Sequence, residues 1–258
     1  MINYLWRPPR GPPGDKRPRL DKRLPENFKY FENWGFTIYR TYYGAESDEH
    51  WNTLLEVLRQ QTLLALGYHE TEEARERERR WKFKRSQSVA EDLEQISWMK
   101  KLFRLFPRED PSLLEGLDIH GIRELAIKEH AEAEKKLLRA SWSFVLVADE
   151  AVLKDIARCE FVVKAVGYDW HPTTNASSWG WVRISTGDLL ELWEILLVSD
   201  VASISKYVPL RFKKPEEGLE IYLWQGDDSM PYFSDFSKVQ TKKYPYVAAI
   251  EAEPQDHT

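Results

Sequence analysis

The chain has 258 residues, 42% hydrophobic and 31% charged, an ordinary globular composition with ample material for a core. Its one cysteine, Cys159, excludes an intramolecular disulfide, so a reducing compartment is expected, cytoplasmic or nuclear, rather than secretion. No apolar run reaches the roughly 18–20 residues of a membrane helix, and Leu5 and Trp6 run straight into Arg7, Pro8 and Pro9 where a signal peptide would carry its apolar stretch.

The net charge of −5 is unevenly spread: residues 1–25 hold seven Lys and Arg against Asp15 and Asp21 and carry +5, leaving −10 on the remainder. The same residues hold six prolines (Pro8, Pro9, Pro12, Pro13, Pro18 and Pro25). Proline fixes φ and removes a donor, so residues 1–27 are expected to form a disordered or polyproline-like basic tail. Such a tail is either a solvated leader, an arm for nucleic acid or an acidic partner, a peptide for an aromatic groove, or a localisation signal.

The folded part, one domain over 28–258, begins with Trp34-Gly35-Phe36-Thr37-Ile38-Tyr39-Arg40-Thr41. Aromatic and β-branched residues in alternation predict a strand there. Ser47 caps a predicted helix on which Trp51, Leu54, Leu55, Leu58 and Ala65 recur at helical spacing, with Gly67 as its stop. Trp51, Leu55, Leu58 and, further on, Trp193 are expected in the core. Residues 70–86 form a charge run with i,i+4 pairs Glu73/Arg77 and Glu76/Arg80. Ser88 and Glu91 then make a capping box ahead of Val89, Leu93, Ile96 and Phe103 on one helix face, closed by Pro107 and Pro111. A further helix is predicted over 118–138. The span of about 70–140 therefore reads as a charged helical insertion.

The period then shortens. Residues 142–147 predict a buried strand, 149–157 a short helix, 161–166 and 179–184 two more strands, and Ser185 or Thr186 opens a helix that turns Leu189, Trp193, Leu196 and Leu197 inward. Residues 219–224 add an edge strand. Strands and helices mixed without strict βαβ alternation predict an α+β fold, a mostly antiparallel sheet with helices on one face, and a split βαβ, ferredoxin-like core is the favoured topology.

The strand motif at 34–41, the stretch Val147-Ala148-Asp149-Glu150-Ala151-Val152-Leu153, and Gly180-Trp181-Val182-Arg183 leading into Asp188-Leu189-Leu190-Glu191-Leu192 together resemble a large family of uncharacterised proteins of filamentous ascomycete fungi. The resemblance covers roughly residues 30–200. It implies a single domain and a fungal origin, with no activity, cofactor or active site to carry over.

Motifs with a chemical mechanism are absent from the sequence: no phosphate-binding or dinucleotide-binding glycine loop, no His-Glu-x-x-His zinc pair, no cysteine pair and no serine elbow. No metal or cofactor is therefore expected. Asp149-Glu150 after a strand reads as a metal or base pair, or as acidic residues meeting the positive end of a helix dipole. Cys159, at a helix end, reads as a buried, inert thiol.

The most site-like cluster is the segment 168–181, where Asp169, Trp170 and His171 lie in a Gly/Pro/Asn/Ser context ahead of Trp179 and Trp181. A loop Asp can orient a His for acid–base work, and flat aromatic surface beside polar groups suits binding. Turn chemistry alone also explains an Asp and a His in a loop. Arg75, Arg77, Arg79, Arg80 and Lys82, interleaved with Trp81, could neutralise phosphates while the ring stacks on bases, although interspersed glutamates equally describe a solvated helix.

Three function classes stay open. One is a non-catalytic interaction or regulatory protein with a protein partner. Another is a small-molecule binder or enzyme using the 168–181 loop. The third is a nucleic-acid binder using the tail and 75–85.

Overall fold

The computed structural model describes residues 2–9, 20–66, 89–136, 144–167, 180–198, 216–221 and 223–224. Seven helices and six strands are described: α1 (Ile2–Leu5), β1 (Trp34–Arg40), α2 (Ser47–Ala65), α3 (Val89–Leu102), β2 (Phe103–Arg108), α4 (Pro111–Leu114), α5 (Ile119–Lys136), β3 (Phe144–Ala148), α6 (Glu150–Ala157), β4 (Val162–Gly167), β5 (Trp181–Ser185), α7 (Leu189–Val198) and β6 (Leu223–Trp224). Short 3-10 turns stand at Pro25–Tyr30, Thr186–Asp188 and Glu216–Ile221.

The strands form one six-stranded sheet in the order β2-β1-β3-β4-β5-β6. The fold is α+β, but the sheet is mixed rather than mostly antiparallel. β1 runs parallel to both β2 and β3, β5 runs parallel to β6, and only β3–β4 and β4–β5 are antiparallel. Alternation shows that a strand has two faces and is silent on which way its neighbour runs. The long helical connection between β1 and β2 has the length a parallel crossover needs.

Helices cover both faces, not one. On the first face Trp34, Phe36 and Ile38 of β1, Leu146 of β3, Val163 and Ala165 of β4 and Val182 and Ile184 of β5 pack into one cluster with Trp51, Leu54 and Leu58 of α2, Met99 of α3, Ile156 of α6 and Trp193 of α7. On the second face Tyr39, Val145, Val147, Val166 and Trp181 meet Ile122 and Ala126 of α5 and Leu219. Neither the strand order nor the two-sided cover is that of a ferredoxin-like core.

Tryptophan supplies much of the first cluster. The Trp34 ring lies 4.8 Å from Trp193 and 5.0 Å from Phe103, and its Nε1 donates to the Met99 carbonyl at 2.7 Å. A buried indole thus keeps its one donor satisfied. Trp51, Leu58 and Trp193 are buried as expected, while Leu55 is half-buried.

Several boundaries differ from the sequence reading. Residues 103–108, expected at the end of a helix, form β2, so this part of the supposed insertion belongs to the sheet. Pro107 is tolerated because β2 is an edge strand, paired among the described residues to β1 alone. The charge run at 70–86 lies outside the described residues.

The expected tail is anchored at its start. Ile2 and Leu5 are buried in the first cluster, Trp6 bridges to Phe31 and stacks on it at 4.8 Å, and Asn27 is buried in the 3-10 turn. Two apolar side chains spaced for one helical turn outweigh the prolines that follow them. Ser47 is the first residue of α2 rather than its cap. Its Oγ donates to the Gly44 carbonyl at 2.5 Å and accepts from Arg40 at 2.8 Å. Cys159 is exposed, not buried, on a left-handed residue (φ 61°) that ends the turn after α6. Residues 216–221 form a 3-10 turn, which leaves only 223–224 as strand.

β1 and β2 approach closely at one glycine. Gly35 has φ +140°, and a Cβ there would sit 1.8 Å from the Arg104 carbonyl oxygen. Gly35→Ala is expected to destabilise at or beyond the upper end of about 1–3 kcal/mol, since backbone on both strands must move. A urea midpoint equal to wild type would show that the strands separate without cost. Trp51→Ala, which empties the centre of α2's buried face, is expected to cost about 3–5 kcal/mol by the same measurement.

Candidate functional site

The second face of the sheet carries a transverse row of polar side chains. Strand register sets Arg108 beside Tyr39, Tyr39 beside Val147, Val147 beside Lys164 and Lys164 beside Arg183. Residues opposite one another across paired strands share a face, so three cations and a phenol lie along one line under α5 and the 216–221 turn.

Each member of the row meets an acid. Glu129 of α5 takes Arg108 on one oxygen and the Tyr39 hydroxyl, at 2.9 Å, on the other. Burial, then the bond to Glu129, pushes the Tyr39 phenol above its usual range. Lys164, only 3% exposed, donates to Asp149 at 2.6 Å and to Glu220 at 2.5 Å, and its ammonium lies 5.0 Å from the Trp181 ring centre. Arg183 pairs with Asp155, which Arg158 also holds. Asp149 in addition caps α6, accepting from the Val152 amide at 3.0 Å. The Asp149-Glu150 pair thus divides: Asp149 serves the helix start and Lys164, and Glu150 pairs with Lys154 at 2.8 Å.

Where β1 ends, the Arg40 guanidinium is buried over Tyr43, 4.5 Å from the ring centre, and donates to Ser47 and to Asp48 at 2.5 Å. Trp51 Nε1 donates to Glu109 at 2.7 Å close by.

The opposite end of the sheet bears the stem of the segment 168–179. Gly167 closes β4 and Gly180 precedes β5, and the Gly167 amide donates to the Gly180 carbonyl at 2.8 Å. Arg123 of α5, itself buried, donates from Nε to the Gly167 carbonyl at 2.8 Å and from a terminal nitrogen to the Gly180 carbonyl at 3.5 Å. One guanidinium fork therefore ties both ends of the segment to a helix. One turn before it on α5, His120 stands with Nε2 3.7 Å from Glu216, whose other oxygen accepts from Trp181 Nε1 at 2.7 Å.

Of the site residues expected from sequence, Trp181 is buried at this stem. Asp169, Trp170, His171 and Trp179 lie outside the described residues, as do Arg75, Arg77, Arg79, Arg80 and Lys82. Sequence reasoning missed Arg123, His120 and Glu216. They come from α5 and from the 216–221 turn, and no local spacing ties them to residues 168–181. Among the described residues no cluster of His, Cys, Asp and Glu is arranged to hold a metal ion, and no helix is long and apolar enough to cross a membrane.

The exposure of the Lys164 cluster is lopsided. The ammonium side chain is 3% exposed, while Asp149 and Glu220 are 27% and 42% exposed. Removing the lysine leaves two acids that water can reach, whereas removing both acids leaves a buried charge. Asp149→Asn combined with Glu220→Gln, which keeps the α6 cap, is thus expected to cost about 3–5 kcal/mol. Lys164→Met should cost clearly less. Equal losses on denaturant titration would show that the ammonium reaches solvent.

Compared with family models, with curated proteins and with solved structures, the chain matches none.

Proposed function

We propose that this chain is a non-catalytic interaction or regulatory protein of the cytoplasm or nucleus, and that segment 168–179 is what it offers to a protein partner. The observation that supports this is the stem: Arg123 holds the carbonyls at both ends, Gly167 and Gly180. A segment whose ends are fixed to a rigid scaffold loses less freedom on binding than one tethered loosely. Its residues combine Asp169, His171, Asn175 and Ser177 with Trp170 and Trp179, large flat apolar groups beside polar ones, as interface anchors require.

A second reading is favoured by one detail, the His120–Glu216 pair beside Trp181. A carboxylate close to an imidazole and to an aromatic wall suits acid–base chemistry on a small molecule. The two readings share the end of the sheet and differ in which histidine matters.

His171→Ala and Asp169→Ala are expected to keep stability within about 0.5 kcal/mol of wild type, as surface changes do, and to lose partners that wild type captures in affinity purification from the native cell. Capture unchanged by both variants would remove the segment as the interface. Capture that is nuclease-sensitive and lost with the basic residues at 75–82 would favour nucleic acid instead. If only His120→Gln abolished the cellular activity, the small-molecule reading would replace the first.

A further inference from the structure

The junction between β5 and α7 buries an acid, Asp188, one of whose oxygens has no hydrogen-bond partner among the described residues. Ser185 ends β5 and caps the turn Thr186–Asp188 through its hydroxyl, which accepts from the Gly187 amide at 3.1 Å. Thr186 points at α2, its Oγ1 2.5 Å from Gln61 Oε1 and 3.2 Å from the Phe161 carbonyl. The next side chain is Asp188, 2% exposed. Among the described residues its Oδ1 has no hydrogen-bond partner, and the same holds for Gln61 Nε2 and Thr62 Oγ1 on α2.

What surrounds Asp188 decides its charge. The turn packs mainly against two elements, α2 and α7. The buried residues of α2 are Ser47, Trp51, Leu54, Val57, Leu58, Gln61, Thr62 and Ala65, none of them an acid or a base. From α7 comes Glu191, one turn along the helix from Asp188 and itself 8% exposed. The buried face of α2 thus brings no charge to the turn, and the charge that α7 brings to Asp188 is a like one. Both disfavour its carboxylate: burial first, then Glu191, hold its pKa up at about 7.

We propose that Asp188 is a proton-binding site that seats the β5–α7 turn against α2 while it holds its proton and loosens that junction when the proton leaves. A neutral carboxyl can stay buried in the turn that packs on α2 and can donate one hydrogen bond. A carboxylate there would face Glu191 and lack solvation. The direction follows. In the unfolded chain Asp188 ionises near its ordinary value of 3.8 and in the folded chain near 7, so its contribution is full below about pH 4 and is lost as pH rises towards 7. Above that both states are ionised and nothing more is lost.

The test compares the 258-residue chain with its Asp188→Asn variant, whose amide keeps the shape and cannot ionise. Unfolding by urea at half-unit steps from pH 4 to 9 gives the ratio of their folding equilibrium constants. That ratio, wild type over variant, should fall by up to tenfold per pH unit between about 4 and 7 and then level off. A ratio independent of pH would overturn the proposal. Because the variant could fail to fold, a second measurement uses wild type alone. The side-chain carboxyl carbon of Asp188, followed by nuclear magnetic resonance, should titrate near pH 7, and the amides of 186–190 should exchange faster above pH 8 than at pH 6 once intrinsic rates are divided out. A carboxyl midpoint below 5, or equal protection at both pH values, would refute it.

Discussion

Burying both faces of one sheet leaves a charged side chain on its inner strands nowhere to go except to a partner. Antiparallel sheets with one wet face can turn such residues to solvent, but this sheet has α2, α3, α6 and α7 on one side and α5 with the 216–221 turn on the other. The transverse row therefore sets requirements on the elements around it. Glu129 must come from α5, Asp149 from the start of α6, Asp155 from its last turn and Glu220 from the 216–221 turn. The register of the strands and the positions of four acids from three separate stretches of chain are in this sense one constraint.

The same demand explains why the buried indoles lie where they do. Trp34, Trp51 and Trp181 each fill core volume and each end on an acceptor, a carbonyl in one case and a carboxylate in two. Apolar bulk with a single polar edge suits the boundary between a dense core and a line of acids. Asp188 departs from this pattern, since it is a buried acid that no cation meets among the described residues.

Elements whose evidence lies within one stretch of chain were legible in the sequence. β1, β3, β4 and β5 follow from alternation and β-branched content, and α2, α5 and α6 follow from helical spacing, each within two or three residues of its observed ends. Strand direction was not legible, because period two is the same in parallel and antiparallel pairs. β2 was hidden because Phe103 continues the helical spacing of Ile96 and Pro107 argues against a strand unless it lies at an edge. The anchoring of Ile2 and Leu5 was masked by the proline and charge content around them. For the candidate site, Trp181 and its segment stood out by composition, whereas Arg123 reaches Gly167 from 44 residues away. A single sequence holds no trace of such a contact.

The burial of Ile2 and Leu5 has a consequence for the order of events during synthesis. These side chains leave the ribosome well before Met99 and Leu102 of α3, which belong to the cluster that receives them. At about 5–20 residues per second, some ninety residues take on the order of five to twenty seconds to follow. Over that interval two apolar side chains and the Trp6 ring wait without their seat. In vectorial folding, then, the seating of α1 is a late event: Ile2 and Leu5 gain their burial only once α3 has been made.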